Sequence, residues 1–398
     1  MRAGVARERV AGERRVAATP ESVGQLVSLG CDVLVEAGAG VEAGHSDASY
    51  SQAGATVVST LEVDDLDVFL HVRPLTPDFV ARLPSGAITI GLASPSAELP
   101  TVLALAEANV TAFALELVPR ISRAQSMDAL SSQALVAGYR SVIEAAIRFP
   151  RFFPLYMTAA GTVPPARVLV LGAGVAGLQA IGTAKRLGAR VSANDVRPAS
   201  ADEVASMGAT FVHLDLDAQT EGTGGYAREL GQDRAALQRE LLAPHVAAAD
   251  VLITTAAIPG RPAPLLVTTE MVAGMKAGSV VIDLAAETGG NVEGAVAGAD
   301  VAVATRAGDG SVTLVGMKDA ASSMATDASR LYAKNVANLL ALMVTDDSAD
   351  GGADRGATGP ALTLDFDDDV IAGACLTHDG VVRHAPTIEL LNALEGAR

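Results

Sequence analysis

The chain has 398 residues, 49% hydrophobic and 19% charged, which provides apolar sequence for a large core spread over two or three domains and excludes a disordered polypeptide. Its 46 acidic and 29 basic side chains give a net charge of -17, which disfavours nucleic acid and anionic lipid surfaces as ligands. The two cysteines, Cys31 and Cys375, have no close cysteine partner, so neither a disulfide framework nor a zinc site of ordinary spacing is expected, and a reduced cytoplasmic setting fits.

The opening MRAGVARERVAGERRV is too charged for a signal peptide, and no uninterrupted apolar run approaches the roughly 18 residues of a membrane span, so no direct membrane insertion is expected. Short apolar runs then alternate with helix-like stretches in two blocks, the pattern of parallel sheets flanked by helices. In the first block a helix at residues 20–29 precedes strands at 32–36, 56–58, 68–72, 87–92 and 110–115. Residues 131–158, rich in Ala, Leu, Val and Phe at helical spacing, predict a long helix crossing to the second block. That block has strands at 167–171, 190–194, 210–214, 251–255, 279–284, 301–305 and 311–315. A helix at 327–343 is expected to cross back, a Gly/Asp-rich linker follows at 346–359, and residues 362–376 with 381–382 predict a small strand pair. The expected fold is α/β: two Rossmann-like doubly wound lobes joined by crossing helices, with the C-terminus returning to the first lobe. The N-terminal lobe is expected at residues 1–130 and 320–398, and the nucleotide-binding lobe at 131–319.

Gly172, Gly174 and Gly177 follow the strand VLVL and open the amphipathic stretch VAGLQAIGTAKRLGA. In that setting Gly172, Ala173, Gly174, Val175, Ala176 and Gly177 form a dinucleotide fingerprint. The first glycine permits the tight turn, the second lets backbone approach a pyrophosphate, and the third lets helix and strand pack closely, with the helix N-terminus facing the phosphates. Asp195 ends the next strand, where a carboxylate binds the adenosine ribose hydroxyls and repels a 2′-phosphate. This favours NAD(H) over NADP(H), although Arg197, just past Val196, is a residue type that accommodates a 2′-phosphate. Thr255 and Ala256 in TTAAIPGRPAP, and Gly289, Gly290 and Asn291 in LAAETGGN, fall at the carboxyl edge of the same sheet, where ligands sit in doubly wound folds. Ordinary loop chemistry explains any one of them equally well. The glycine-rich insertion at 220–232, carrying Tyr226, reads either as a lid or as a surface loop. The histidines are scattered without metal-ligand spacing, so no metal site is expected.

Three stretches, PRISRAQSMDALSS, AAGTVPPARVLVLGAGVAGLQAIGTAKRLGA and TTAAIPGRPAP, together make the chain resemble the NAD(H)-binding alpha subunits of proton-translocating NAD(P)+ transhydrogenases over nearly its whole length. The first stretch is the specific one. The others are shared more loosely with alanine dehydrogenase, the sister family of the same two-lobed fold. The resemblance implies a homodimeric NAD(H) component, peripheral to the cytoplasmic membrane. It would pass hydride directly to NADP+ on a partner subunit, with proton movement through membrane-embedded subunits. It also implies that Arg120, Gln125 and Asp128, with Ser131 one helical turn on, border the nicotinamide, and that Tyr226 belongs to a mobile loop. The residues themselves admit this: Asp128 and Ser131 share a face if a helix starts here, and Arg120 and Gln125 offer donors suited to a carboxamide. They also admit a structural reading in which Asp128 caps the helix and Arg120 is its ion-pair partner.

Hydride transfer between two nicotinamides moves no proton at the reacting centre, so it needs orientation but no general acid or base. Amino-acid dehydrogenation must move protons. The sister family does so with a Lys and a His, and the matching positions here are His71 and the vicinity of Gly91 or Leu92, so the pair is missing. Arg15, in ERRVAATP, stands where that family binds its substrate carboxylate, but the same run occurs in transhydrogenases. An alanine dehydrogenase-like enzyme and a non-catalytic NAD-binding regulatory module remain as alternatives. Where the transhydrogenases typically have a Pro-x-Arg-like turn after the last strand, this chain has GMKDAASSMATDAS, without Pro or Arg, so the family's cleft geometry is not carried over there.

Overall fold

The structure, a computed structural model, describes residues 1–215, 232–258, 260–345 and 361–396. Two compact units emerge, Met1–Gln133 with Ala321–Arg398, and Ala134–Ala320.

The first unit is built on an eight-stranded sheet in the order Val381–Val382, Cys375–His378, Thr111–Ala114, Ile88–Gly91, Val68–Leu70, Arg2–Val5, Asp32–Glu36, Thr56–Val58. The strands from Thr111–Ala114 to Thr56–Val58 are parallel, and Cys375–His378 joins the edge antiparallel to Thr111–Ala114. Apolar side chains leave both faces of this sheet, as burial beneath two helical layers requires. One face packs Val5, Val33, Leu70 and Ile90 against the helices Pro20–Ser28 and Ala325–Ala341; the other packs Phe69 and Ala112 against Leu99–Glu107. The helix Pro20–Ser28 begins where Thr19 and Ser22 cap each other and proline occupies the first helical position.

The second unit has a seven-stranded sheet in the order Thr210–Phe211, Arg190–Asn194, Arg167–Leu171, Val251–Thr254, Val280–Asp283, Ser311–Gly316, Asp300–Ala304, with only the last pairing antiparallel. In both sheets the strand order reverses beside the first strand, at Arg2–Val5 and Val68–Leu70 in one and at Arg167–Leu171 and Val251–Thr254 in the other. Such a reversal opens a crevice outside the carboxyl ends of the strands.

Three expectations are corrected. Residues 131–158 are not one helix: the helix is Ala129–Arg148 and stops before Phe149-Pro150, since a proline disfavours helical backbone in the residue before it. Beyond it, Tyr156–Thr158 and Gly161–Val163 pair as a separate hairpin. Residues 362–376 are not one strand either: Ala361–Leu362 pairs with Val344–Thr345, and Asp368 caps the helix Asp369–Ala374. The terminal strand pair is Cys375–His378 with Val381–Val382. Finally, Ala325–Ala341 lies wholly within the first unit, the chain passing back just ahead of it between Ala320 and Ala321. Tyr226 and the linker at 346–359 lie outside the described residues.

Candidate functional site

The fingerprint turn of the second unit is shaped by what its glycines avoid. Gly172 sits at φ 98°, a left-handed conformation that side chains disfavour, and a Cβ there would lie 2.7 Å from the Thr255 hydroxyl. Thr255 Oγ1 in turn donates to the Gly172 carbonyl at 3.1 Å. A Cβ on Gly177 would collide with that same carbonyl oxygen, so helix and strand approach as closely as they do only because no side chain intervenes. Gly174 is the N-cap of Val175–Arg186, has open space where a Cβ would be, and supplies no side-chain cap. The first-turn amides of this helix therefore lack the side-chain acceptor that normally satisfies one of them, and they carry the positive end of the helix dipole. Val175 is exposed and Ala176 half-buried; Gly138, on Ala129–Arg148, packs so close to the Ala176 carbonyl that no Cβ would fit. These features fit a pyrophosphate.

At the end of Arg190–Asn194, Asp195 accepts four hydrogen bonds. They come from Ala173 N at 2.7 Å, Arg197 N at 2.8 Å, Arg197 Nε at 3.0 Å and Arg197 Nη2 at 3.2 Å. Burial pushes this carboxyl up, but the Arg197 guanidinium and the two amides more than offset it and hold the group below the usual carboxylate range. Val196, between them, is exposed. Neighbouring loops are held by a clamp that sequence reasoning missed. Asp283, fully buried at the end of Val280–Asp283, accepts from Thr254 Oγ1 (3.1 Å) and from the amides of Ala285 (2.9 Å), Asn291 (2.8 Å) and Val292 (3.0 Å). Burial nonetheless raises its carboxyl above the usual range. Asn291 extends the clamp: Oδ1 accepts from Ala256 N at 3.0 Å, and Nδ2 donates to the carbonyls of Ala256 and Pro264, each at 2.8 Å. The side-chain amide of Asn291 is thus spent on holding Ala256 and Pro264. Gly289 and Gly290 are both left-handed, and a Cβ on Gly290 would lie 2.9 Å from Asp283 Oδ2.

The other predicted residues lie on the first unit. Arg120 and Gln125 are exposed on the loop before Ala129–Arg148. Asp128 and Ser131 are brought together: the Asp128 carboxylate accepts from Ser131 N at 2.8 Å and Ser131 Oγ at 2.5 Å, which makes Asp128 the side-chain cap of the helix. The loop is pinned by Arg123, forked onto Asp368 at 2.7 and 2.8 Å, and by Asn335 and Asn338, which donate to the Ser126 carbonyl. The divergent segment after Gly316 has its own local use, since Ser322 Oγ donates to Gly12 O at 2.9 Å and accepts from Arg14 N at 2.7 Å.

Arg15 and His71 are committed to protein groups. Arg15 forks onto Glu13 at 2.8 and 2.7 Å and donates to Gln133 at 2.9 Å, while Arg73 Nε lies 2.6 Å from Oε2 of the same fully buried carboxylate. Burial pushes the Glu13 carboxyl up, but Arg15 and Arg73 bring it down to about 2. His71 is buried, its Nδ1 2.7 Å from the Arg73 carbonyl, and burial lowers it to about 4. Among the described residues no three His, Cys, Asp or Glu side chains gather as a metal-holding group, and no helix is long and apolar enough to cross a membrane.

The chain matches two family descriptions in succession, "Alanine dehydrogenase/PNT, N-terminal domain" over residues 4–137 and "Alanine dehydrogenase/PNT, C-terminal domain" over residues 141–385. It is 46% identical to an NAD(P) transhydrogenase subunit alpha of Rhodospirillum rubrum over 393 residues, covering 96% of this chain and 98% of that protein. The crystal structure of transhydrogenase from Sinorhizobium meliloti superposes with a TM-score of 0.83 at 45% identity, covering 96% of this chain and all of that one. Alanine dehydrogenase of Bacillus subtilis is more distant, 32% identical over 73% of this chain and 72% of its own length.

Proposed function

The chain belongs to the alanine dehydrogenase/PNT family, and we propose that within it this protein is the NAD(H)-binding alpha subunit of a proton-translocating transhydrogenase. It would pass hydride from NADH to NADP+ on a partner subunit. The observation that carries the reading is the uncapped, glycine-built turn at Gly172–Gly177 with Asp195 tied to it through Ala173 N, an anion site beside a diol acceptor. When bound, the nicotinamide supplies the hydride chemistry. The chain's own part is to bind and orient. In this reading Gly172, Ala173, Gly174, Val175, Ala176 and Gly177 receive the pyrophosphate, Asp195, Val196 and Arg197 the adenosine end, and Thr255, Ala256, Gly289, Gly290 and Asn291 the adjoining edge. Arg120, Gln125, Asp128, Ser131 and Tyr226 act toward the nicotinamide.

The commitment of Arg15 to Glu13 and Gln133, and of His71 to a backbone carbonyl, supports the transhydrogenase reading over an amino-acid dehydrogenase, which needs a free carboxylate anchor and a proton carrier. Homodimerisation is part of the proposal. It is supported by the hairpin Tyr156–Thr158 and Gly161–Val163, whose strands pair only with each other among the described residues, and by exposed Ile147, Phe152, Leu155, Tyr156 and Met157 around it. Partner subunits embedded in the membrane would place the chain at the cytoplasmic membrane surface.

The test mixes the purified chain with an NADP-binding transhydrogenase component and follows NADH-dependent reduction of an NADP+ analogue, with pyruvate, ammonia and NADH as the control. Transfer that requires the partner is the expected result; turnover of the control by the chain alone would overturn it. Asp128→Asn, which keeps a good helix cap, is expected to slow transfer about tenfold or more with little change in NADH affinity. Unaltered transfer would remove Asp128 from the reaction.

A further inference from the structure

Asp195 is crowded in a way that ribose binding alone does not require. A carboxylate offers about four lone-pair sites, and all four are taken: two by backbone amides fixed by the fold, Ala173 N and Arg197 N, and two by the fork of one guanidinium. A ribose diol brings two donors. The amides cannot leave without unmaking the turn, because Ala173 is buried between Gly172 and Gly174. The Arg197 side chain is 40% exposed against 9% for Asp195, so it is the member of the pair free to move. A second partner lies within electrostatic reach: Glu203, on the helix Ser200–Ser206, also acts on this guanidinium.

We propose that Arg197 is a specificity-determining residue that occupies, in the free protein, the hydrogen-bonding capacity of Asp195 that the ribose diol takes on binding. This deepens the NAD(H) reading and rests on it. Arg197 acts as a tethered competitor, and every adenosine ligand must first displace its side chain from Asp195. Once displaced, the guanidinium remains beside the 2′-position, where it offsets part of the repulsion between Asp195 and a 2′-phosphate. The same side chain therefore weakens NADH binding and narrows the margin against NADPH.

The experiment titrates the intact chain and its Arg197→Gln, Arg197→Lys and Asp195→Ala variants with NADH, NADPH, 5′-AMP and 2′-AMP, reading dissociation constants by calorimetry. Arg197→Gln is expected to bind NADH and 5′-AMP about threefold more tightly than wild type and to bind 2′-AMP and NADPH more weakly, widening the NADH:NADPH ratio about tenfold. Arg197→Lys, which keeps the charge but loses the fork, is expected to fall between. Unchanged or weaker NADH and 5′-AMP binding in Arg197→Gln, while Asp195→Ala weakens both ligands, would overturn the competitor role and leave the nucleotide site standing. Wild-type protein that binds neither NADH nor 5′-AMP would instead defeat the reading on which this inference rests.

Discussion

At the switch point of the second sheet the chain turns through Gly172, Ala173 and Gly174 and leaves the start of Val175–Arg186 without a side-chain cap. At the corresponding point of the first sheet, the chain beyond Arg2–Val5 carries Glu8, Glu13 and Arg15, and that beyond Val68–Leu70 carries His71 and Arg73. There several of the polar groups pair with one another. Arg15 and Arg73 close on Glu13, Gln133 accepts from Arg15 Nη1, and Tyr332 donates to the His71 carbonyl at 2.8 Å. Two sheets that share one reversal of strand order thus have crevices of opposite chemistry. Small residues leave backbone donors unanswered and hold room for an anion, whereas long charged residues consume each other's hydrogen bonds and fill the crevice from within. Doubly wound topology provides the location of a site; residue size and mutual satisfaction determine whether a ligand is needed there.

The sharpest way to break this contrast is to put a side chain where the second sheet excludes one. Gly177→Ala places a Cβ against the Gly172 carbonyl oxygen, a backbone atom that cannot step aside without separating helix from strand. We expect a loss of more than about 3 kcal/mol of stability and, in the protein that remains folded, NADH affinity reduced about 100-fold or more. Calorimetric titration with parallel thermal melts checks both; wild-type affinity in this variant would show that the turn does not receive the nucleotide. The next effect is on the other sheet. Arg15→Met leaves the buried Glu13 carboxylate with Arg73 as its remaining charged partner, and the expected cost is about 3 kcal/mol. NADH affinity measured well below the melting temperature should stay at its wild-type value. Because Glu13 titrates at about 2 when folded against 4.5 as the ordinary value, its contribution is present above about pH 5 and is lost as pH falls through that interval. A flat acid limb in urea titrations would contradict it.

Legibility in the sequence followed the same divide. Strands at 32–36, 56–58, 167–171 and 190–194 coincide with observed strands because each is a β-branched or apolar run bounded by turn residues. Arg2–Val5 escaped because RAGV offers so little pattern, although it pairs on both sides; its Gly4 leaves space that Leu66 fills. The shape of the Gly172–Gly177 turn was legible because a demand for small residues and positive φ is written in the residue types themselves. The Asp283–Asn291 clamp was not, since an Asp closing an apolar strand has no visible partner until Thr254, Ala256 and Pro264 arrive from another segment. The same holds for Glu13, Arg15, Arg73 and Gln133. Their charges are plain in the sequence, but their mutual cancellation exists only after the sheet brings the segments together.

The smallest effect expected is a pH dependence that tests whether the first crevice is as self-sufficient as its contacts suggest. Glu8 is an acid there that must share its cation: Oε1 accepts from Val72 N at 2.6 Å, and Arg15, a favourable charge within reach, is already given to Glu13. Burial raises Glu8 to about 7; the amides of Val72 and Arg73 and the charge of Arg15 work against that shift, and the neighbouring Glu13 charge adds to it. A carboxyl whose folded value lies above its unfolded value of 4.5 holds its proton more tightly in the folded state. Its favourable share is complete below about pH 4.5 and is lost as pH rises through 7. Glu8→Gln keeps the acceptor for Val72 and removes the titration. It should therefore match wild type near pH 4 and exceed it at pH 8 by about 3 kcal/mol, seen as a higher urea midpoint with an unchanged slope. If the variant is equally stable at both pH values, or weaker at pH 8, Glu8 has a cation or a route to water in solution, and the crevice of the first sheet is more open than its neighbours make it.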